Sequence, residues 1–148
     1  MPCVHEILAL KDSDQEHLVY TIPPTISVHD AVRKMNLHRI GALVVVDDGQ
    51  VVGMFTERDV LRLVGALQTV THIMVRDVMT RDVCTVTPTT DIEDAQELMR
   101  SRRIRHLPVI DPIGRLTGIV SIGDLNAWCV AHQARQIEGL HDYIHGRA

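Results

Sequence analysis

A chain of 148 residues with 45% hydrophobic content can bury a core, so one compact unit or two tightly fused halves is expected and disorder is not. With 15 basic against 19 acidic residues, the net charge of −4 (His neutral) supplies no global attraction to nucleic acid or an anionic membrane. Cys3, Cys84 and Cys129 are odd in number and far apart, which argues against a disulfide framework or a zinc site. The first ten residues hold Glu6 and no basic stretch, and no run reaches the length of a membrane span, so a soluble, cytoplasmic protein is expected.

In chain order, Val4-His5-Glu6-Ile7-Leu8 has the apolar spacing of a short amphipathic helix, and Val75-Arg76-Asp77-Val78-Met79 repeats it. The acids of Lys11 to Glu16 resemble a calcium loop only briefly. His17 stands where such a loop needs Gly and no Glu closes it, so a solvated loop is the reading. His17 to Ile22 predicts a strand ended by Pro23-Pro24. From Ser27 the pattern turns helical, with Ser27 as cap and Val28, Ala31, Val32 and Met35 on one face, ending at Gly41. Ala42–Val46 and Gln50–Phe55 are apolar runs joined by Asp47-Asp48-Gly49, a hairpin signal, and Asp59–Val64 continues as a helix.

The second half repeats this order. Pro24 and Pro88, Asp30 and Asp94, Met35 and Met99 all stand 64 positions apart, while Gly53 and Gly118, Asp59 and Asp124 stand 65 apart, one residue being added in the Asp111–Gly114 turn. The chain is therefore an α+β tandem of two β-α-β-β-α units. Each has an apolar sheet face too small to stand alone, so face-to-face packing about a pseudo-two-fold axis is expected. Residues 1–65 form the first repeat, 66–74 the connection, 75–130 the second repeat and 131–148 a helical extension. Trp128, Ile137, Leu140 and Ile144 give the long C-terminal helix an apolar stripe, read as a homodimer interface; a helix folded back on its own domain is the alternative.

Each repeat ends its apolar hairpin with Gly-x-x-Thr/Ser-x-x-Asp: Gly53, Thr56 and Asp59, then Gly118, Ser121 and Asp124. A hydroxyl and a carboxylate at a strand-to-helix junction can form an ordinary capping box. Free helical N–H groups gather there too, which suits a phosphorylated sugar. Duplication at equivalent places favours the second reading. No Walker loop, Gly-x-Gly-x-x-Gly, Gly-x-Ser-x-Gly, or nucleophile and base pair accompanies these turns, so no catalytic residue is assigned. His141 and His145 lie four apart without a third ligand, and no metal is assigned either.

These doubled turns, with Arg103-Ile104-Arg105-His106-Leu107-Pro108-Val109 and the Val75–Thr80 lead-in, resemble the cystathionine-β-synthase (CBS) domain pair, or Bateman module. The wording Gly-x-Phe-Thr-Glu-Arg-Asp is similar to its stand-alone bacterial and organellar members. The resemblance implies a non-enzymatic sensor that binds an adenine nucleotide (AMP, ADP, ATP or NAD(H)) as ligand rather than as catalytic cofactor and changes shape or affinity for an unknown protein target. It further implies one site from Thr56, Arg58, Asp59, Thr85, Arg105 and His106, and another from Thr21, Pro23, Gly41, Ala42, Ser121 and Asp124. The aspartates would take the ribose hydroxyls, and the backbone near Thr21–Pro23 and Thr85–Thr87 would read the adenine edge. Because Gly41 and Ala42 replace Arg105 and His106, while Arg58 replaces Gly123, the Asp59 site is expected to favour the more highly charged ligand. The alternative is a nucleotide-independent dimeric scaffold with lapsed sites.

Overall fold

The computed structural model describes residues 1–11, 20–66 and 69–146. The polar insertion at 12–16 and the first part of the strand expected from His17 lie outside the described residues. The element order is α1 (Val4–Lys11), β1 (Thr21–Ile22), α2 (Val28–His38), β2 (Ala42–Asp47), β3 (Gln50–Thr56), α3 (Glu57–Gly65), α4 (Val75–Val78), α5 (Ile92–Arg102), β4 (His106–Ile110), β5 (Leu116–Ser121) and α6 (Ile122–Ile144). The two halves thus repeat as the offsets require, with a long helix at the end.

In the first repeat β1 runs parallel to β2, and β2 pairs with β3 as an antiparallel hairpin. Asp48 and Gly49 close that hairpin with φ of 51° and 77°, the pair of positive values that a two-residue turn needs to match strand twist. In the second repeat β4 and β5 form the matching hairpin. Its first strand is reduced to one parallel bridge, Val86 to Val109, in which Val86 N–H donates to the Pro108 carbonyl at 3.0 Å and Ile110 N–H to the Val86 carbonyl at 2.9 Å. Both first strands are short because Pro23-Pro24 and Pro88 withdraw ladder donors within a few residues.

Helix α2 stops earlier than Gly41. Arg39 takes the left-handed cap at φ 53°, and Arg103 does the same after α5 at φ 54°. Ser27 caps α2 as expected, accepting from Asp30 N–H at 3.1 Å.

The hydrophobic clusters cross the limits drawn from the sequence. Val4, Ile7 and Leu8 of α1 are buried with Val86, Ile92, Leu107, Val120 and Leu125, so the N-terminal helix completes the core of the second repeat. Val75 and Met79 of the second lead-in are buried instead with Ile22, Val28, Leu43 and Phe55 of the first. Equivalent backbone bonds hold each lead-in: Val4 N–H donates to the Thr90 carbonyl and Val75 N–H to the Ile26 carbonyl, both at 2.9 Å. Gly53 is what lets the second strap lie down. A Cβ there would overlap the Met79 side chain and stand 3.1 Å from the Thr80 carbonyl, while Met54 and Thr80 exchange two backbone bonds of 2.9 Å alongside.

A third cluster, Ala42, Val44, Met54 and Ile119, with Tyr20, Val83 and Leu116 at its edge, joins the two sheets. The repeats therefore pack sheet to sheet, and the two Thr/Ser-x-x-Asp turns open beside that seam. Beyond Gln133, α6 is exposed along its whole length, with Ile137 and Leu140 66% and 61% exposed. Among the described residues no helix is long and apolar enough to cross a membrane.

Candidate functional site

The β4–β5 hairpin ends by pairing His106 with Ser121. Ser121 then starts α6 with a reciprocal capping box: its hydroxyl accepts from Asp124 N–H at 3.1 Å, and its own N–H donates to Asp124 Oδ2 at 2.8 Å. Those bonds hold the carboxylate at the first turn of α6, where the helix dipole favours negative charge. On the other side of the seam, the left-handed cap at Arg39 delivers Ile40 and Gly41 to the same place. Together with Lys11, Tyr20, His106 and Ile119, these residues line a cleft of about 230 Å³.

Lys11 is the closest charge to Asp124. Its Nζ lies 2.8 Å from Asp124 Oδ2 and donates to the Ile119 carbonyl at 2.9 Å, with side-chain exposures of 19% for Lys11 and 25% for Asp124. The ammonium is also 5.7 Å from the centre of the Tyr20 ring. Burial pushes the His106 ring below its ordinary pKa; Glu57 and Asp124 pull it back up in part, and Lys11 and Arg105 push it down again. Burial thus favours the neutral form of the ring that lines the cleft. Glu57 stands on the Gly41 side, its carboxylate carbon 3.0 Å from where a Gly41 Cβ would be.

The Asp59 turn is tighter. Thr56 N–H donates to Asp59 Oδ2 at 2.9 Å, and the Thr56 hydroxyl is 3.4 Å from the same oxygen. Asp59 is the one buried charged residue among those described, at 6% exposure, with Arg62 at 3.9 Å. Arg58 reaches across the seam and donates to the Arg103 carbonyl at 3.2 Å.

Of the residues proposed for the Asp124 side, Gly41, Ser121 and Asp124 meet at the cleft. Ala42 is fully buried in the seam cluster, so its side chain packs against Val44, Met54 and Ile119 instead of lining the opening. The Thr21 carbonyl accepts from Lys34 Nζ at 2.7 Å, a bond made in a site whose burial lowers the lysine pKa. Pro23 is exposed in the turn after β1. On the Asp59 side, His106 is displaced from its expected place: strand register sets it opposite Ser121, and it lines the Asp124 cleft. Arg105 is exposed, and its carbonyl accepts from Ile122 N–H at 2.8 Å, while Thr85 is half-buried next to the Val86 bridge.

The Asp124 cleft, expected to be without the charge of Arg105 and His106, is lined by His106 and by two cations not assigned from the sequence, Lys11 and Arg39. Arg39 and Arg103 occupy matching positions in the two repeats, a signal visible in the sequence. Lys11 had no comparable signal, because its partner lies 113 residues away. Among the described residues no cluster of three His, Cys, Asp or Glu side chains could hold a metal ion; His141 and His145 stack on each other, ring centres 4.0 Å apart.

The CBS domain family matches residues 17–66 and 75–130, both repeats and nearly the whole of each. The chain belongs to the CBS domain family. It is 39% identical over 142 residues to the mitochondrial CBS domain-containing protein CBSX3 of Arabidopsis thaliana, covering 92% of this chain and 68% of that one. Another curated relative is spanned over 65% of its length. A putative signal-transduction protein with CBS domains from Burkholderia ambifaria superposes with a TM-score of 0.81 at 38% identity, over 89% of this chain and 96% of that one. CBSX2, solved in complex with AMP, superposes with a TM-score of 0.71 at 29% identity, over 81% and 92%. CBS pairs of this fold thus include proteins that hold a nucleotide.

Proposed function

We propose that this CBS pair is a non-catalytic sensor of an adenine nucleotide, and that the Asp124 cleft is its principal site. The observation that carries the reading is the carboxylate of Asp124, held at a helix start beside Lys11, Arg39 and His106 in an opening that both repeats line. A carboxylate suits paired ribose hydroxyls, and the cations and helix N–H groups suit a phosphate. The AMP complex of CBSX2 supports the ligand class. A ligand gripping both repeats favours one relative arrangement by its differential affinity, which is how binding becomes a signal.

Purified protein freed of copurified ligand should gain stability with AMP, ADP, ATP or NAD(H). At 100 times the dissociation constant the gain is about 2.7 kcal/mol, readable as a rise in melting temperature. Indifference to all four would discard the sensor reading.

Of the stripe read from the sequence, Trp128 packs against the core of its own second repeat, while Ile137, Leu140 and Ile144, with Val130 and Tyr143, are exposed and support a homodimer through α6. Light scattering of Ile137→Glu/Leu140→Glu against the unaltered protein checks this: the unaltered chain should run at twice the mass of the variant. Equal masses would remove α6 from the interface.

A further inference from the structure

The cation paired with Asp124 belongs to neither Thr/Ser-x-x-Asp turn. Helix α1 is docked on the second repeat by Val4, Ile7 and Leu8, and its last residue, Lys11, lays its ammonium on Asp124 Oδ2 at 2.8 Å and on the Ile119 carbonyl at 2.9 Å. Both side chains of this ion pair are three-quarters or more buried. The cleft that remains, about 230 Å³, is below the roughly 300–1,000 Å³ of ordinary ligand pockets. The carboxylate that would accept sugar hydroxyls is already engaged.

We propose that Lys11 makes the Asp124 cleft selective for a nucleoside carrying a phosphate, a proposal that rests on the nucleotide reading above. An uncharged nucleoside reaches Asp124 only by breaking a half-desolvated ion pair, which leaves the ammonium without an anion. A nucleotide brings a replacement. The ammonium passes from the carboxylate to the phosphate, charge-assisted bonds are kept on both sides, and Asp124 is released to the sugar. Lysine suits this exchange because its charge is compact and its four-carbon stem is flexible, while α1 keeps the root of that stem tethered beside the cleft. Arg39, exposed on the same lining, adds a second cation for the phosphate. The sugar and the phosphate are thus recognised by one rearrangement of one ion pair.

The test is calorimetric titration of adenosine and AMP into ligand-free protein, unaltered, Lys11→Met and Lys11→Arg. Unaltered protein should prefer AMP. In Lys11→Met the affinity for AMP should fall about tenfold and that for adenosine rise about threefold, so the preference shrinks about thirtyfold. Lys11→Arg should keep most of it. A ratio is indifferent to partial loss of folded protein, so a structural defect alone would leave it in place. If Lys11→Met shifts both ligands by one factor, or neither, the lysine proposal is overturned while the nucleotide reading stands. If the unaltered protein binds neither compound, the lysine proposal falls, and the nucleotide reading falls with it only where ADP, ATP and NAD(H) fail to stabilise the protein as well.

Discussion

The two Thr/Ser-x-x-Asp turns are alike in local chemistry and unlike in what reaches them from the other half. At Asp124 the arriving group is Lys11, at the end of a helix that crosses to the second repeat. The position that matches Lys11 in the second lead-in is Asp82, so no ammonium is offered to Asp59 from there. Asp59 is instead closed in, nearly out of contact with solvent, and shares its carboxylate between the cap and a distant Arg62. One motif therefore yields an open, cation-rich cleft in one repeat and a sealed cap in the other. Duplicated sequence marks two equivalent turns; the crossing elements decide what surrounds each of them.

The largest expected effect breaks the closed half at its strap. Gly53→Val places a side chain where the Met79 side chain lies and against the Thr80 carbonyl, so the lead-in must lift from β3. Overpacking of this kind costs about 2–3 kcal/mol, seen as a lower urea midpoint. An unchanged midpoint would mean that the strap yields freely.

Comparing the two aspartates sharpens the contrast. Asp59→Ala removes a capping carboxylate from a buried place, with an expected stability loss of about 1–2 kcal/mol and little change in AMP affinity. Asp124→Ala should lose a similar or smaller amount of stability, since its cap is more exposed, but weaken AMP at least about tenfold by taking away the sugar's acceptor. Unfolding and titration of the same two variants read both quantities. Equal effects on AMP would erase the distinction drawn between the clefts.

The smallest effect concerns His106. Its folded pKa lies below the unfolded value because of burial, so the unfolded chain binds more protons in between and stability rises with pH across that window. The contribution is complete above the unfolded value, near 6.5, and is lost as pH falls through the folded one. Unfolding measured from pH 7 to pH 5 should therefore show a steeper decline in the unaltered protein than in His106→Gln. Parallel declines would place the ring in a more solvated setting than the cleft provides.

Much of this molecule was legible before any coordinates. The constant offsets, the helical and alternating apolar periods, the Asp48-Gly49 turn and the two strand-to-helix junctions are all short-range patterns, and short-range sterics and hydrogen bonding suffice to produce them. Ser121 and Asp124 cap α6 by contacts three residues apart, which a sequence displays directly. What the pattern left open was every choice between equivalent partners. The two lead-ins carry the same apolar spacing, so either core could have received either strap. His106 lay one strand register from a different cleft, and Ala42 could as well have lined an opening as filled the seam. Burial of α1 on the second repeat settled the choice of strap, and with Val4, Ile7 and Leu8 in that core Lys11 reaches Asp124 and the Ile119 carbonyl. Local chemistry made two equal turns, and long-range packing made them different.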